Sequence, residues 1–224
     1  MTTILITGFE PFGGSARNPS LEIARALDAR TIAGARILGR VLPVSMRRIE
    51  AALAEVLDAA RPDLYIALGL AGGEAMIRLE RYGVNLADFP IADNDGARSL
   101  DETLVPGGPA AVATTLPNRA IHGAMLAAGL PARLSNTAGT YLCNACIYLT
   151  DAALKQRQSD ARFGFIHLPF LPEQVAALLS GPQAGRQPEQ VASMALETMI
   201  RAVEVAVETC VQSNVVSPRA ASRS

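Results

Sequence analysis

The sequence predicts an α/β fold: a single-domain, open, twisted, mostly parallel sheet with helices on both faces. Short β-branched runs alternate with longer stretches of helical period, which is typical of strands joined by crossover helices. The 224 residues, half of them apolar, can bury one full core, and no linker divides them. We therefore expect one domain over residues 1–212 and a small polar tail, predicted to be disordered, at 213–224.

The predicted strands are short apolar runs rich in Ile, Leu and Val. Such runs are typical of strands that are buried on both faces of a parallel sheet. In chain order they span residues 4–7, 36–42, 64–68, 77–84, 133–135 and 163–168.

Helical periodicity fills the intervals between these strands. Ser45 is a candidate cap for a helix that starts at Met46, and Pro62 ends that helix. The predicted helices span residues 20–27, 46–60, 118–128, 141–155 and 188–211. The segment 85–108 is instead turn-rich and acidic, and it predicts a loop or short hairpin over the sheet edge, in the position of a lid or substrate wall.

Composition narrows the class of protein. A net charge of -1 and 18% charged residues argue against nucleic acid and membranes as partners, since both usually require a basic excess. The first residues lack a basic region and a cleavage site, so we expect a cytoplasmic protein. Three cysteines are an odd number in a chain of this size, which favours free thiols in a reducing compartment over a disulfide framework.

Cys143 is the first candidate nucleophile. It lies where a short apolar strand gives way to a helix, and the unpaired N–H groups of a helix start favour the thiolate. His167, at the end of an apolar strand, is the candidate base. The other histidine, His122, falls inside a predicted helix, so we assign it a structural role. A buried structural histidine fits the position of His167 equally well.

Glu80 is the candidate acid that orients the imidazole. On residue type alone, a charged residue inside a strand-like run favours an exposed position paired with Arg81 or Arg78. Other acids in the following loop stay open as alternatives, namely Asp88, Asp93 and Asp101.

Two other types of chemistry compete with hydrolysis. The Cys143-x-x-Cys146 spacing also fits a thiol redox pair at a helix start. A zinc site would lack ligands, because no histidine or acid cluster lies near these cysteines, so we expect no metal. The glycine-rich loop after the first strand carries Phe9 and Phe12, which suit a flat, neutral ligand better than a phosphate, or else pack on the core.

Several longer motifs together resemble the pyroglutamyl peptidase I family of cysteine peptidases. They occur in family order over about residues 4–210. The motifs are Thr7-Gly-Phe-Glu-Pro-Phe-Gly-Gly14, Asn18-Pro-Ser20, Leu68-Gly-Leu-Ala-Gly-Gly73, Glu80-Arg81 with Asn85, Asp93-Asn-Asp-Gly96, Ser135-Asn-Thr-Ala-Gly-Thr-Tyr-Leu-Cys143-Asn144 and Gly164-Phe-Ile-His-Leu-Pro-Phe-Leu-Pro-Glu-Gln174.

The resemblance implies a single α/β domain, often a homotetramer, that needs no cofactor and removes N-terminal pyroglutamate from small peptides. It implies that Cys143 attacks the acyl carbon, His167 transfers the proton and Glu80 holds the imidazole. It also implies that Phe9 and Phe12 enclose the pyrrolidone ring, with Asn18 nearby. Backbone N–H groups at the start of the Cys143 helix would bind the oxyanion.

This chain departs from the family pattern around the expected pocket. Leu70 replaces a glutamine among the substrate-binding positions, Glu74 reverses the charge of an arginine, and Pro90 replaces another arginine. Proline carries no charge and no backbone N–H, so the help of that arginine to the acyl oxygen is lost. The sequence therefore leaves open an altered specificity, or a relative that binds a lactam without catalysis.

Overall fold

The computed structural model describes residues 2–180 and 191–213. The strands are β1 (Thr3–Phe9), β2 (Thr31–Ile32), β3 (Ala35–Leu42), β4 (Leu64–Leu70), β5 (Ile77–Glu80), β6 (Tyr82–Val84), β7 (Ala111–Ala113), β8 (Ala132–Ser135) and β9 (Arg162–Leu168). The helices are α1 (Pro19–Leu27), α2 (Met46–Ala60), α3 (Asn118–Ala127), α4 (Leu142–Gln156), α5 (Pro172–Ser180) and α6 (Leu196–Gln212).

The main sheet confirms the predicted fold class. It has seven strands in the order β2-β3-β1-β4-β9-β5-β8. Strands β3, β1, β4 and β9 pair in parallel, and so do β5 and β8. Chain direction reverses between β9 and β5, and β2 is an antiparallel edge strand. Strands β6 and β7 form a separate antiparallel ribbon.

Helices cover both faces of this sheet. Successive strand residues alternate between faces, and the buried apolar residues accordingly form two separate cores. One core holds the inward residues of α1, α3 and α6, such as Ile23, Ile121 and Met199. The other holds those of α2 and α4, such as Ile49 and Leu142, and this second face carries the candidate site.

Local sequence signals explain two of the helix starts. The side chain of Asn18 caps α1 by accepting a hydrogen bond from the Ser20 N–H. Ser45 caps α2 as predicted, because its Oγ accepts from the Arg48 N–H at 3.2 Å.

The structure corrects two predicted boundaries. The run predicted as one strand at 77–84 divides at Arg81 into β5 and β6, because Arg81 donates its N–H to Ser135 and its carbonyl accepts from Thr114, which turns the chain away. The last helix begins at Leu196 and not at 188, since Met194 donates its N–H to Phe170 in an extended conformation. Positions 188–190 lie outside the described residues, as does the predicted tail from 214 onward.

Strands β2 and β7 and helix α5 have no counterpart among the predicted elements. The segment 85–108 has neither helix nor strand and contains one isolated bridge, between Ala87 and Glu102, as expected of a loop. Within the described residues, no helix combines the length and the apolar character needed to cross a bilayer.

Candidate active site

Three neighbouring strands present the candidate residues on one face of the sheet. His167 of β9 is in register with Gly69 of β4 on one side and with Arg78 of β5 on the other. Side chains at paired positions point to the same face. This is the face that α4 covers, because Phe165, two residues before His167, lies in the core beneath that helix.

Glu80 and His167 form a buried pair. Oε1 of Glu80 lies 2.8 Å from Nδ1 of His167, and the two residues are 0% and 4% exposed. The ring of Phe165 contacts the imidazole edge-on, with 4.8 Å between centroids, and limits its rotation. The exposed position considered for Glu80 is therefore wrong, although the pairing with Arg78 is present. Arg81 bonds to Asn136 instead.

Cys143 lies above Gly69. A Cβ built on Gly69 would be 2.8 Å from the Cys143 Sγ, which is closer than non-bonded atoms approach, so the bare glycine makes room for the sulfur. Because Gly69 is the neighbour of His167 in the sheet, the sulfur and the imidazole share one face at adjacent positions. The structure thus brings together the thiol, the imidazole and the acid predicted from the sequence.

The first turn of α4 offers hydrogen-bond donors beside the sulfur. Tyr141 occupies the N-cap position without a side-chain cap, and the first intrahelical bond runs from the Ala145 N–H to its carbonyl. The N–H groups of the residues between them, including Cys143, therefore have no acceptor within the helix. They can bind negative charge that develops on an acyl oxygen. The side chain of Asn144 fixes this turn through bonds to the backbone of Val84 and Leu86.

The environment of Cys143 favours the neutral thiol. Burial raises its pKa well above the usual value, the charges of Cys146 and Glu80 raise it further, and Arg78 and the Cys143 N–H oppose them. This direction is opposite to the thiolate preference expected from the helix start, because desolvation opposes the field of the helix.

Comparison with known proteins agrees with this geometry. The family model for pyroglutamyl peptidase matches residues 2–213. This chain belongs to the pyroglutamyl peptidase family. It is 44% identical over 214 residues to the pyrrolidone-carboxylate peptidase of Cupriavidus necator, which covers 95% of this chain and 94% of that relative. The Chromobacterium violaceum enzyme of the same name is 46% identical over 208 residues, covering 93% and 92%.

Solved structures of the pyroglutamyl peptidase family share the fold. A mutant pyrrolidone carboxyl peptidase from Pyrococcus furiosus superposes with a TM-score of 0.89 at 39% identity, over 95% of this chain and all of that one. The enzyme from Thermococcus litoralis gives a TM-score of 0.88 at 39% identity, over 96% of each chain. The predicted family, fold and type of enzyme are confirmed.

An aromatic wall lies next to Cys143 in this pyroglutamyl peptidase. The ring of Tyr141 is 6.0 Å from that of Phe12 and 4.6 Å from that of Phe89, between centroids. Its hydroxyl donates to the carbonyl of Ala92 at 3.2 Å, which ties the helix start to the 85–108 loop. Tyr141 is absent from the predicted site residues, although its position two residues before the thiol could have indicated it.

The predicted pocket residues differ in exposure and in position relative to the thiol. Phe12 is half-buried, whereas Phe9 is only 3% exposed and packs in the core under α2 and α4. Asn18 is buried at the start of α1, where it accepts from Ser20 and donates to the Glu10 carbonyl, so its hydrogen bonds hold the loop in place. Side chains alternate along β4, so Leu70 lies on the same face as Leu68 and on the face opposite to Gly69. The structure therefore does not bring the Leu70 side chain to the thiol.

The two other departures from the family pattern have different surroundings. Glu74 accepts hydrogen bonds from Arg78 at 3.2 Å and from Arg133 at 3.1 Å. Pro90 is exposed in the 85–108 loop, and its carbonyl accepts from Arg98. Glu74 is therefore connected to the site by its hydrogen bond to Arg78, which in turn lies beside Glu80.

The remaining cysteines and histidine are placed as structural groups. Cys146 and Cys210 are fully buried, and burial raises the pKa of each thiol to about 12. All three cysteines are free. Nε2 of His122 lies 3.1 Å from the Ala132 carbonyl, consistent with a structural role. Across the parts of the chain that the structure describes, no group of three or more His, Cys, Asp or Glu side chains could hold a metal ion.

Proposed function

We propose that this protein is a cysteine peptidase that removes N-terminal pyroglutamate from peptides, with Cys143 as nucleophile, His167 as general base and acid, and Glu80 as the group that orients the imidazole. The observation that carries the proposal is the buried Glu80–His167 pair on the same face as the Cys143 sulfur. Membership of the pyroglutamyl peptidase family supports the substrate class.

The hydrogen bond to Glu80 selects the reactive form of the imidazole. A carboxylate only accepts hydrogen bonds, so Nδ1 of His167 carries the proton and Nε2 keeps its lone pair. Nε2 takes the proton of the Cys143 thiol as the sulfur attacks the carbonyl carbon of the pyroglutamyl amide. Because burial raises the pKa of the thiol, we expect the proton transfer to accompany the attack.

The carbonyl oxygen becomes negative during the attack, and the free N–H groups in the first turn of α4 stabilise it. His167 then returns its proton to the leaving amine, and a thioester with Cys143 forms. Water, activated by the same imidazole, hydrolyses the thioester and releases pyroglutamate. These steps require no cofactor and no metal.

The pyrrolidone ring is flat and uncharged, and the half-buried Phe12 and Tyr141 provide an aromatic surface of that character near the thiol. Phe9 supports this surface from the core, and Asn18 holds the loop that carries it. Leu70 replaces a glutamine of the family pattern, and Glu74 and Pro90 each replace an arginine, so we infer a specificity that differs from that pattern.

Release of a chromophore from a pyroglutamyl amide tests the function. Wild type should turn the substrate over, Cys143→Ala should abolish turnover, and Cys210→Ala, a fully buried control thiol far along the chain, should retain it. Turnover that survives the Cys143 change would refute the mechanism. Thermal stabilisation by free pyroglutamate without turnover of any acyl amide would assign a binding role instead.

We also propose a homotetramer located in the cytoplasm. Family resemblance supports the assembly, and the three free cysteines suit a reducing compartment. Light scattering on the purified full chain measures the assembly, and cell fractionation locates the protein. A monomer, or recovery outside the cytoplasm, would contradict the respective proposal.

A further inference from the structure

Arg78 lies at the centre of the site, although no part of the proposed mechanism uses it. It is in register with His167 across the antiparallel pairing of β5 and β9, and its side chain is 14% exposed. Its Nε lies 2.9 Å from Oε1 of Glu80, the same oxygen that contacts His167 Nδ1. The guanidinium, the carboxylate and the imidazole therefore meet at one atom.

The other nitrogens of Arg78 fix the guanidinium in place. Nη1 donates to Glu74 at 3.2 Å, and Nη2 donates to Ser135 Oγ at 3.1 Å and to the Thr137 carbonyl. These partners belong to the turn after β4 and to the end of β8, so two neighbouring segments hold the side chain. A planar guanidinium that is hydrogen-bonded at both Nη1 and Nη2 is held in place beside Glu80.

The contact between Arg78 and Glu80 is mainly one of charge. The Nε–H does not point at the carboxylate, and the buried Oε2 of Glu80 has no hydrogen-bond partner. A fully buried carboxylate with so few donors needs a nearby positive charge to offset the loss of water. Arg78 provides that charge.

The charges of Arg78 and Glu80 also act on the Cys143 thiol. The titratable groups around the Cys143 sulfur are Arg78 and Glu80 from β5, His167 from β9, and Tyr141 and Cys146 from the start of α4. The negative charge of Glu80 disfavours a thiolate and the positive charge of Arg78 favours one. Glu80 can therefore orient His167 without suppressing the nucleophile only if its charge is offset.

We propose that Arg78 is a positioning residue of this active site, whose guanidinium holds Glu80 against His167 and offsets the Glu80 charge beside the Cys143 sulfur. The inference rests on the proposed function. It also explains Glu74: a carboxylate at this position anchors Arg78, whereas an arginine there would repel it. Because Pro90 carries no charge, Arg78 of β5 supplies the positive charge of the site.

Alkylation of Cys143 tests this inference without any peptide substrate. The rate of iodoacetamide addition to the Cys143 peptide, followed by mass spectrometry across pH, reports thiolate formation. In Arg78→Met the midpoint should move to higher pH by about one unit, because an opposite charge nearby is removed. Arg78→Lys keeps the charge and should recover most of that shift.

Arg133 offers a matched control. It is in register with Arg78 on β8 and also bonds to Glu74, yet it makes no contact with Glu80. Arg133→Met should leave the alkylation midpoint unchanged. If circular dichroism shows that Arg78→Met is unfolded, Arg78→Gln, which has a shorter polar side chain, replaces it in the alkylation comparison.

Activity provides a second readout. The acid limb of kcat/KM should move alkaline in Arg78→Met in parallel with alkylation, while KM changes little. Equal midpoints in wild type and folded Arg78→Met or Arg78→Gln would overturn the inference, as would an equal shift in Arg133→Met. Failure of the wild type to cleave pyroglutamyl amides would overturn the proposed function alone, because the alkylation comparison does not depend on that activity.

Discussion

The sulfur of Cys143 occupies the space that a side chain at Gly69 would fill. A Cβ there would lie 2.8 Å from Sγ and 2.6 Å from the ring of Phe165. The glycine of β4 therefore sets how deeply the thiol sits over the sheet, and the strand register sets its position beside His167.

Gly69→Ala is expected to reduce kcat/KM by about 100-fold or more, since displacement of a nucleophile by about 1 Å costs that much. It should also lower thermal stability through overpacking against Phe165. Gly123→Ala is the control, because its Cβ would meet open space on helix α3. Chromogenic assays and thermal melts measure both variants, and near-normal turnover by Gly69→Ala would contradict this account.

Glu80→Gln is expected to lower kcat by roughly 100- to 10,000-fold, the range of a general acid–base contribution. The amide keeps the shape of the carboxylate but can donate to Nδ1, which places the proton on Nε2 of His167 and removes the base. Arg81→Gln, next to Glu80 but bonded to Asn136, should retain activity. Steady-state kinetics provide the comparison, and a Glu80→Gln enzyme within threefold of wild type would exclude the assigned role.

Tyr141→Ala should raise KM for a pyroglutamyl amide about tenfold, because the aromatic contact with the substrate ring is lost. Tyr141→Phe retains the aromatic ring and should leave KM near the wild-type value. Burial raises the pKa of the Tyr141 phenol to about 12, so the hydroxyl stays neutral across the working range. The pH profile of Tyr141→Phe should accordingly match that of wild type. If the alanine variant binds substrate as well as wild type does, Tyr141 is not part of the ring-binding surface.

The buried thiols predict a loss of stability at alkaline pH. Burial raises the pKa of Cys210 to about 12 from a reference value of 9.0. Between these values the unfolded chain releases the proton and the folded chain retains it, so the free energy of unfolding falls as pH rises. In Cys210→Ala this slope should be shallower by up to about 1.4 kcal/mol per pH unit. Urea melts at pH 9 and pH 10.5 measure it, and an unchanged slope would show that the thiol does not contribute.

Local sequence rules predicted part of this site. Cys143 lies in the first turn of a helix and His167 near the end of a strand, and each position can be recognised from a few neighbouring residues. Glu80 needed the longer family motifs, because a charged residue in a strand has several interpretations.

The rest depended on contacts between distant segments. Arg78 and Gly69 matter because strand register places them on either side of His167, and no pattern along the chain indicates which strands are neighbours. The start of α6 was missed for a similar reason, since Met194 pairs with Phe170 and delays the helix. The direction of the Cys143 pKa shift likewise follows from tertiary burial, which a helix-start argument does not include.

Strand β9 occurs last in the chain but lies between β4 and β5 in the sheet. Without β9, β4 and β5 have no common neighbour in the sheet, and Glu80 has no His167 imidazole to contact. A nascent chain leaving the ribosome therefore carries its thiol for some two dozen residues before the base arrives. A chain that ends before β9 lacks His167, and therefore lacks the imidazole on which the proposed peptidase activity depends.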